Sequence, residues 1–99
     1  MPAYVVVHVK VQDPVRYERY KQLAPTSIRQ YGGRYLTRGG ATEVLEGEWV
    51  PKRLVILEFP SMERAREWWH STEYADPKAL RHATAESTMV LLEGLDRQP

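Results

Sequence analysis

In the stretch "YVVVHVKVQDP", Tyr4 to Pro14, a period-two pattern gives way to the start of a helix. Val5, Val7, Val9 and Val11 fall on one face and Tyr4, Val6, His8 and Lys10 on the other, as successive side chains of a strand do. Asp13 then offers a carboxylate to the free N–H groups of a first helical turn, and Pro14 has the fixed φ that suits that turn's first position. Beyond it Tyr17, Tyr20, Ala24, Ile28 and Tyr31 recur at helical spacing. The reading is strand then helix, with a kink or restart expected at Pro25, which cannot donate an interior hydrogen bond.

Downstream, "YGGRYLTRGG", Tyr31 to Gly40, holds two glycine pairs. Gly32-Gly33 sits where the helix must stop, and glycine tolerates the left-handed conformation that a C-terminal cap needs. "RYLTR" and "TEVLEG" alternate like strands on either side of Gly39-Gly40, so the second pair reads as a bulge or bend between two strand segments. A phosphate loop would instead need Gly-Lys-Ser/Thr opening a helix.

"RLVILEF" is the third strand, Ser61 an N-cap, and Met62, Ala65, Trp68 and Trp69 one face of the helix that follows. Asp76-Pro77 resembles the earlier Asp-Pro and is read as starting another short helix. "TMVLLE" is the fourth strand, and residues 95–99 a frayed polar tail. The order β-α-β-β-α-β over a single domain, residues 1–99, is the ferredoxin-like α+β arrangement with an antiparallel sheet. Right-handed crossovers put both helical segments on one face of that sheet. Yet "LVIL" and "MVLL" are continuous apolar runs of the kind found in strands covered on both sides. A second copy packing its own sheet there, as a dimeric α/β barrel, supplies the missing cover.

Fourteen Lys and Arg against thirteen Asp and Glu leave a formal charge of +1 with the signs interleaved, which argues against a nucleic acid or an anionic membrane as partner. The aliphatic middle of "RLVILEFP" also lacks the aromatics with which ribonucleoprotein domains of this topology stack bases. With no cysteine there is no thiolate nucleophile, and the three histidines have no i, i+4 pair, so neither a metal site nor a cofactor is expected. No signal peptide or membrane-spanning run is read from the N-terminus, and the expected location is cytoplasmic.

Taken together, "HVKVQDPVRYERY", "GGRYLTRGG", "VLEGEWVPKRLVILEFPS", "WWHSTEY" and "VLLEG" resemble a small bacterial family known as domain of unknown function 1330, of the dimeric α/β-barrel superfamily. The resemblance runs from Tyr4 to Gly94. It implies the same fold and dimer, and no reaction. Where the family pattern has an aromatic pair ending in Tyr, this chain has Trp68-Trp69, whose second ring carries no hydroxyl. The wider superfamily holds cofactor-independent monooxygenases, isomerases, haem-binding enzymes and stress proteins, so fold does not select among them.

Two groups of residues are candidates for chemistry. With the first and third strands read as parallel neighbours, His8 and Glu58 lie at similar heights, and a carboxylate beside a histidine would prepare it for proton transfer. Trp68, Trp69 and Tyr74 form a wall of rings with one phenol, suited to a planar ligand, and Tyr17 on the first helix extends it. Arg81 is a possible clamp for a ligand carboxylate or a partner for Glu58. Arg34, Arg38 and Arg53 read as surface or interface charges, with Glu46 opposite Arg53. The expected function is therefore binding of a small aromatic or carboxylate molecule between sheet and helices, with cofactor-free oxygenase or isomerase-type chemistry. The alternative is a non-enzymatic dimeric sensor or stress module.

Overall fold

The computed structural model describes residues 1–96. The chain runs β1 (Ala3–Val11), α1 (Pro14–Gln30), β2 (Arg34–Arg38), β3 (Arg53–Phe59), α2 (Met62–His70), α3 (Thr72–Thr84) and β4 (Ala85–Glu93). The four strands form one sheet in the order β2-β3-β1-β4, and every neighbouring pair is antiparallel. This is the ferredoxin-like arrangement expected from the order of elements.

The local signals explain most of the boundaries. Asp13 caps α1 by accepting from the Arg16 N–H at 3.2 Å, with Pro14 in the first turn. At the other end Gly33 N–H donates to Ile28 O at 2.9 Å and Gly32 N–H to Arg29 O at 3.0 Å, the paired bonds of a Schellman cap. Gly32 has φ +79°, the left-handed conformation that the cap requires. Ser61 caps α2 through its hydroxyl, which accepts from the Arg64 N–H at 3.1 Å.

Three readings are corrected. α1 does not restart at Pro25 but runs through it to Gln30. α3 begins at Thr72 with Ser71 as its cap, so Asp76-Pro77 lies inside that helix and does not start it. "TEVLEG" is no strand: residues 39–52 form a long connection between β2 and β3 in which Val44, Leu45, Trp49 and Val50 are exposed. Of the second glycine pair only Gly39 needs to be glycine. It has φ +69° and its N–H donates to Leu54 O at 2.8 Å, whereas Gly40 has no positive φ and a Cβ there would meet nothing. The irregularity in the β2–β3 ladder falls earlier, between Tyr35 and Thr37.

The core lies between the sheet and the three helices. Val5, Val7 and Val9 of β1, Val55, Leu57 and Phe59 of β3, and Tyr17, Ala24, Ile28, Ala65, Trp68 and Tyr74 of the helices are buried in it. The opposite face of the sheet carries no helix. Tyr4, Val6, Leu54 and Ile56 are half-buried there, and Val90 and Leu92 of β4 are 60% and 54% exposed. The polar tail expected from residue 95 begins with an exposed Leu95, and Asp96 lies 3.4 Å from the Met1 amino group. Residues 97–99 of that tail lie outside the described residues.

Candidate functional site

Antiparallel pairing separates the first pair of candidates. Tyr4 stands opposite Glu58 and His8 opposite Leu54, so His8 and Glu58 are four residues apart along the ladder, or about 13 Å at a strand's ordinary rise. Each has another partner. The His8 Nε2 accepts the Lys52 backbone N–H at 3.0 Å and its ring meets the edge of Trp49, while Glu58 Oε1 takes Arg34 Nε at 2.8 Å and Nη2 at 2.7 Å. Both side chains belong to the face without helices. They make no proton-transfer pair, and Arg81 is not the partner of Glu58.

The second group does converge. Trp68 is 1% exposed and Tyr74 fully buried, their ring centroids 4.1 Å apart, with Trp69 6.1 Å from Tyr74 and half-buried. One serine sets this wall. Ser71 ends α2 and begins α3, its hydroxyl donating to Trp68 O at 2.7 Å and accepting from Tyr74 N–H at 3.1 Å. The Trp68 indole N–H donates to Ser27 Oγ at 3.1 Å, and that hydroxyl donates on to Ala24 O at 2.9 Å, so the largest buried ring has its polar atom satisfied. Against Trp68 and Trp69 opens a cavity of about 300 Å³, completed by Val5, Ala65, Met89 and Leu91 with Arg66 as its one charged side chain. Lys78 Nζ lies 4.2 Å from the Trp69 ring centre and donates to Trp69 O at 2.7 Å, holding that ring by a cation–π contact.

Beside this cavity is a narrow cleft of about 20 Å³, lined by Tyr17, Tyr20, Tyr35, Arg38, Arg53 and Arg81 among apolar residues that include Met89. Arg81, the candidate clamp, is only 2% exposed, where arginines on helices are mostly solvated. Its Nε donates to Tyr74 Oη at 3.2 Å, Nη1 donates to Ser87 Oγ, and Nη2 is 3.5 Å from His82 Nε2. Tyr74 and Tyr20 share a hydrogen bond of 2.8 Å between their hydroxyls. Burial first, and then the neighbouring Tyr74, raises the Tyr20 pKa well above the ordinary phenol value, so Tyr20 stays protonated. Burial and the charges of Arg81 and Lys78 hold the His82 pKa down.

Arg53 is the residue that sequence reasoning placed wrongly. It faces not Glu46, which is exposed in the long connection, but the Tyr17 ring, 5.9 Å from its centre, and its Nε is buried without a hydrogen-bond partner. Arg38 is exposed as expected, and its side chain lies over the Tyr35 ring at 4.5 Å and donates to Lys21 O. The signal was present for Arg53: it is in phase with Val55, Leu57 and Phe59, the helix-facing positions of β3. Among the described residues no cluster of three or more His, Asp or Glu side chains converges as metal ligands, and no helix is long and apolar enough to cross a membrane.

The element order and the antiparallel sheet define a ferredoxin-like α+β protein. The chain belongs to the family described as Domain of unknown function (DUF1330), which it matches over residues 2–95. Among solved structures it is similar to a protein of unknown function from Rhodopseudomonas palustris, with a TM-score of 0.78 at 18% identity over 97% of this chain and 84% of that one. A dimeric ferredoxin-like protein of unknown function from Jannaschia sp. CCS1 has a TM-score of 0.71 at 12% identity, covering 95% of this chain and all of that one. The cofactor-independent oxygenase SnoaB of Streptomyces nogalater has a TM-score of 0.66 at 11% identity, over 99% of this chain and 97% of that one. No curated protein matches the chain.

Proposed function

We infer that the protein is a homodimer that binds a small planar molecule between sheet and helices, in the cavity walled by Trp68 and Trp69. The observation that carries this reading is the cavity itself: about 300 Å³, lined by apolar side chains apart from Arg66, with Trp69 half-buried. Small-molecule sites are apolar clefts of about this size with few polar groups. The bare sheet face supports the dimer. Val90 and Leu92 continue the half-buried Tyr4, Val6, Leu54 and Ile56 as one apolar surface that no helix of the described residues covers, and such patches mark interfaces. The Jannaschia protein of the same fold is a dimer.

A second reading adds chemistry. SnoaB, which shares the fold, is a cofactor-independent oxygenase, and the Tyr20–Tyr74 hydroxyl pair offers a proton donor beside the cavity. Against it, no carboxylate or histidine lines either space. That favours binding without turnover, as in a sensor.

Tryptophan fluorescence titrated with flat hydrocarbons, quinols and aromatic acids tests the binding, since Trp68 and Trp69 line the cavity. A quench that saturates and is lost in Leu91→Trp, which fills the cavity, is expected. A flat response to every probe refutes the reading. Oxygen uptake with any probe that binds separates oxygenase from sensor, and light scattering of Val90→Glu, expected to return one chain's mass where the parent returns two, tests the dimer.

A further inference from the structure

The cleft beside the cavity has an excess of donors. Arg53 and Ser87 both stand opposite Val9, one on each side of β1, so their backbones are about 10 Å apart across two strand spacings. Arg81 reaches Ser87 from α3. Into this space point the Arg53 Nε–H, which is buried and unpartnered, and the Arg81 guanidinium, whose bonds all go to neutral groups. Ser87 Oγ accepts from Arg81 and so keeps its own proton. Tyr20 and Tyr74 share one hydrogen bond between two hydroxyls, which leaves one phenolic proton to give. Among the described residues no carboxylate lies within ion-pair distance of Arg38, Arg53 or Arg81. A buried cation without a counter-charge is costly; Arg81 is one, and the half-buried Arg53 presents its buried Nε to the same cleft.

We propose that the Arg53–Arg81 cleft receives the carboxylate of a small organic acid whose apolar body fills the adjoining cavity. The ligand class follows from the inventory: charge negative, acceptors only, no donor required. Its size follows from the space. The cleft holds about 20 Å³, and a water needs at least about 10–15 Å³ measured this way. The two oxygens of a carboxylate fit where the four of a phosphate do not. Arg53 Nε with its neighbouring Nη presents the fork that binds a carboxylate in two places. Met89 is the side chain common to both spaces, and an unbranched thioether is the residue best able to swing aside and join them.

The proposal rests on the cavity reading above and is tested so that the two fail separately. Calorimetric titrations use benzoate, phenylacetate and cyclohexanecarboxylate against their primary amides, with inorganic phosphate and chloride as further probes. At least one acid should bind about tenfold or more tighter than its amide, the size of a charge-assisted hydrogen bond. Arg53→Gln should remove that preference and leave the amide's affinity unchanged. Because Arg53 Nε has no hydrogen bond to lose and only the Tyr17 ring contact is given up, the apo variant should melt close to the parent, which separates a binding role from a structural one. Arg81→Gln should act in the same direction but also breaks the bonds to Tyr74 and Ser87, so Arg53 carries the test. Equal affinity for acid and amide overturns the carboxylate site and keeps the cavity. So does an acid preference that survives Arg53→Gln, or phosphate or chloride competing as well as the acids. Binding of neither acid nor amide overturns both readings.

Discussion

Replacing Gly39 by alanine should cost stability while the same change at Gly40 should not. Gly39 has φ +69°, and the left-handed region costs an L residue about 1–2 kcal/mol. Alanine recovers about 0.4–1 kcal/mol of that through a less flexible unfolded chain. The new Cβ, however, would meet the Arg53 guanidinium, so the side chain that faces the cleft must move. The net loss expected is about 1 kcal/mol or more, or about 4–8 °C in melting temperature for a domain of this length. Gly40 has no positive φ and open space around its Cα, so Gly40→Ala should be neutral or slightly stabilising. Urea unfolding followed by tryptophan fluorescence gives both values on one protein preparation. Equal effects at the two positions, in either direction, would refute the conformational argument.

Further expectations concern the buried polar groups. Ser27→Ala strands the Trp68 indole N–H and should lower stability by about 1–3 kcal/mol, read from the urea midpoint; Ser27→Thr, which keeps a hydroxyl, should lose less. Tyr20 has a folded-state pKa above its unfolded one, so the folded state holds this proton longer. Its contribution is complete below the unfolded value of about 10 and is lost as pH rises through the folded value, so stability should fall above pH 10. Tyr20→Phe should flatten that decline in unfolding measurements from pH 9 to 11.5, leaving the smaller part due to Tyr35, which burial raises, and Tyr31, which its hydrogen bond to Glu73 raises. Glu58→Gln loses a pair whose Arg34 side chain is largely exposed and should cost less than about 1 kcal/mol, with probe binding unchanged.

How much of this was legible depends on what each signal encodes. The alternation of β1, the Asp13 and Ser61 caps and the Gly32 stop are local, and each fell where its residues placed it. Strand polarity is not local. A helical crossover makes β1 and β2 parallel and the connection to β3 reverses the chain, so β3 must oppose β1; reading them as parallel put His8 beside Glu58. The Asp76-Pro77 pair misled because proline suits a helix start, but Ser71 supplies the stronger cap. With the helix begun five residues too late, Tyr74 lay outside it. The buried stripe Tyr74, Pro77, Arg81 and Thr84 could then not be seen as one face, so nothing showed that the candidate clamp Arg81 is buried. Pro25 failed as a breaker because tertiary packing holds α1: Ala24, Ser27 and Ile28 around it are all buried.

Ser71 has a consequence for how this protein can vary. Because one hydroxyl both closes α2 and opens α3, the bearings of Trp68 and Tyr74 are set three residues to either side of it, within a span no longer than two helical turns. Adding or deleting a single residue anywhere in "WWHSTEY" would rotate one ring by about 100° against the other. The connection over residues 39–52, exposed and without regular structure, has no such coupling, and it can lengthen or shorten without turning either ring. Relatives of this chain can therefore drift in size at the hairpin while the helix junction keeps its length, and a chimaera that exchanges ligand preference between them would be cut on either side of that junction and never within it.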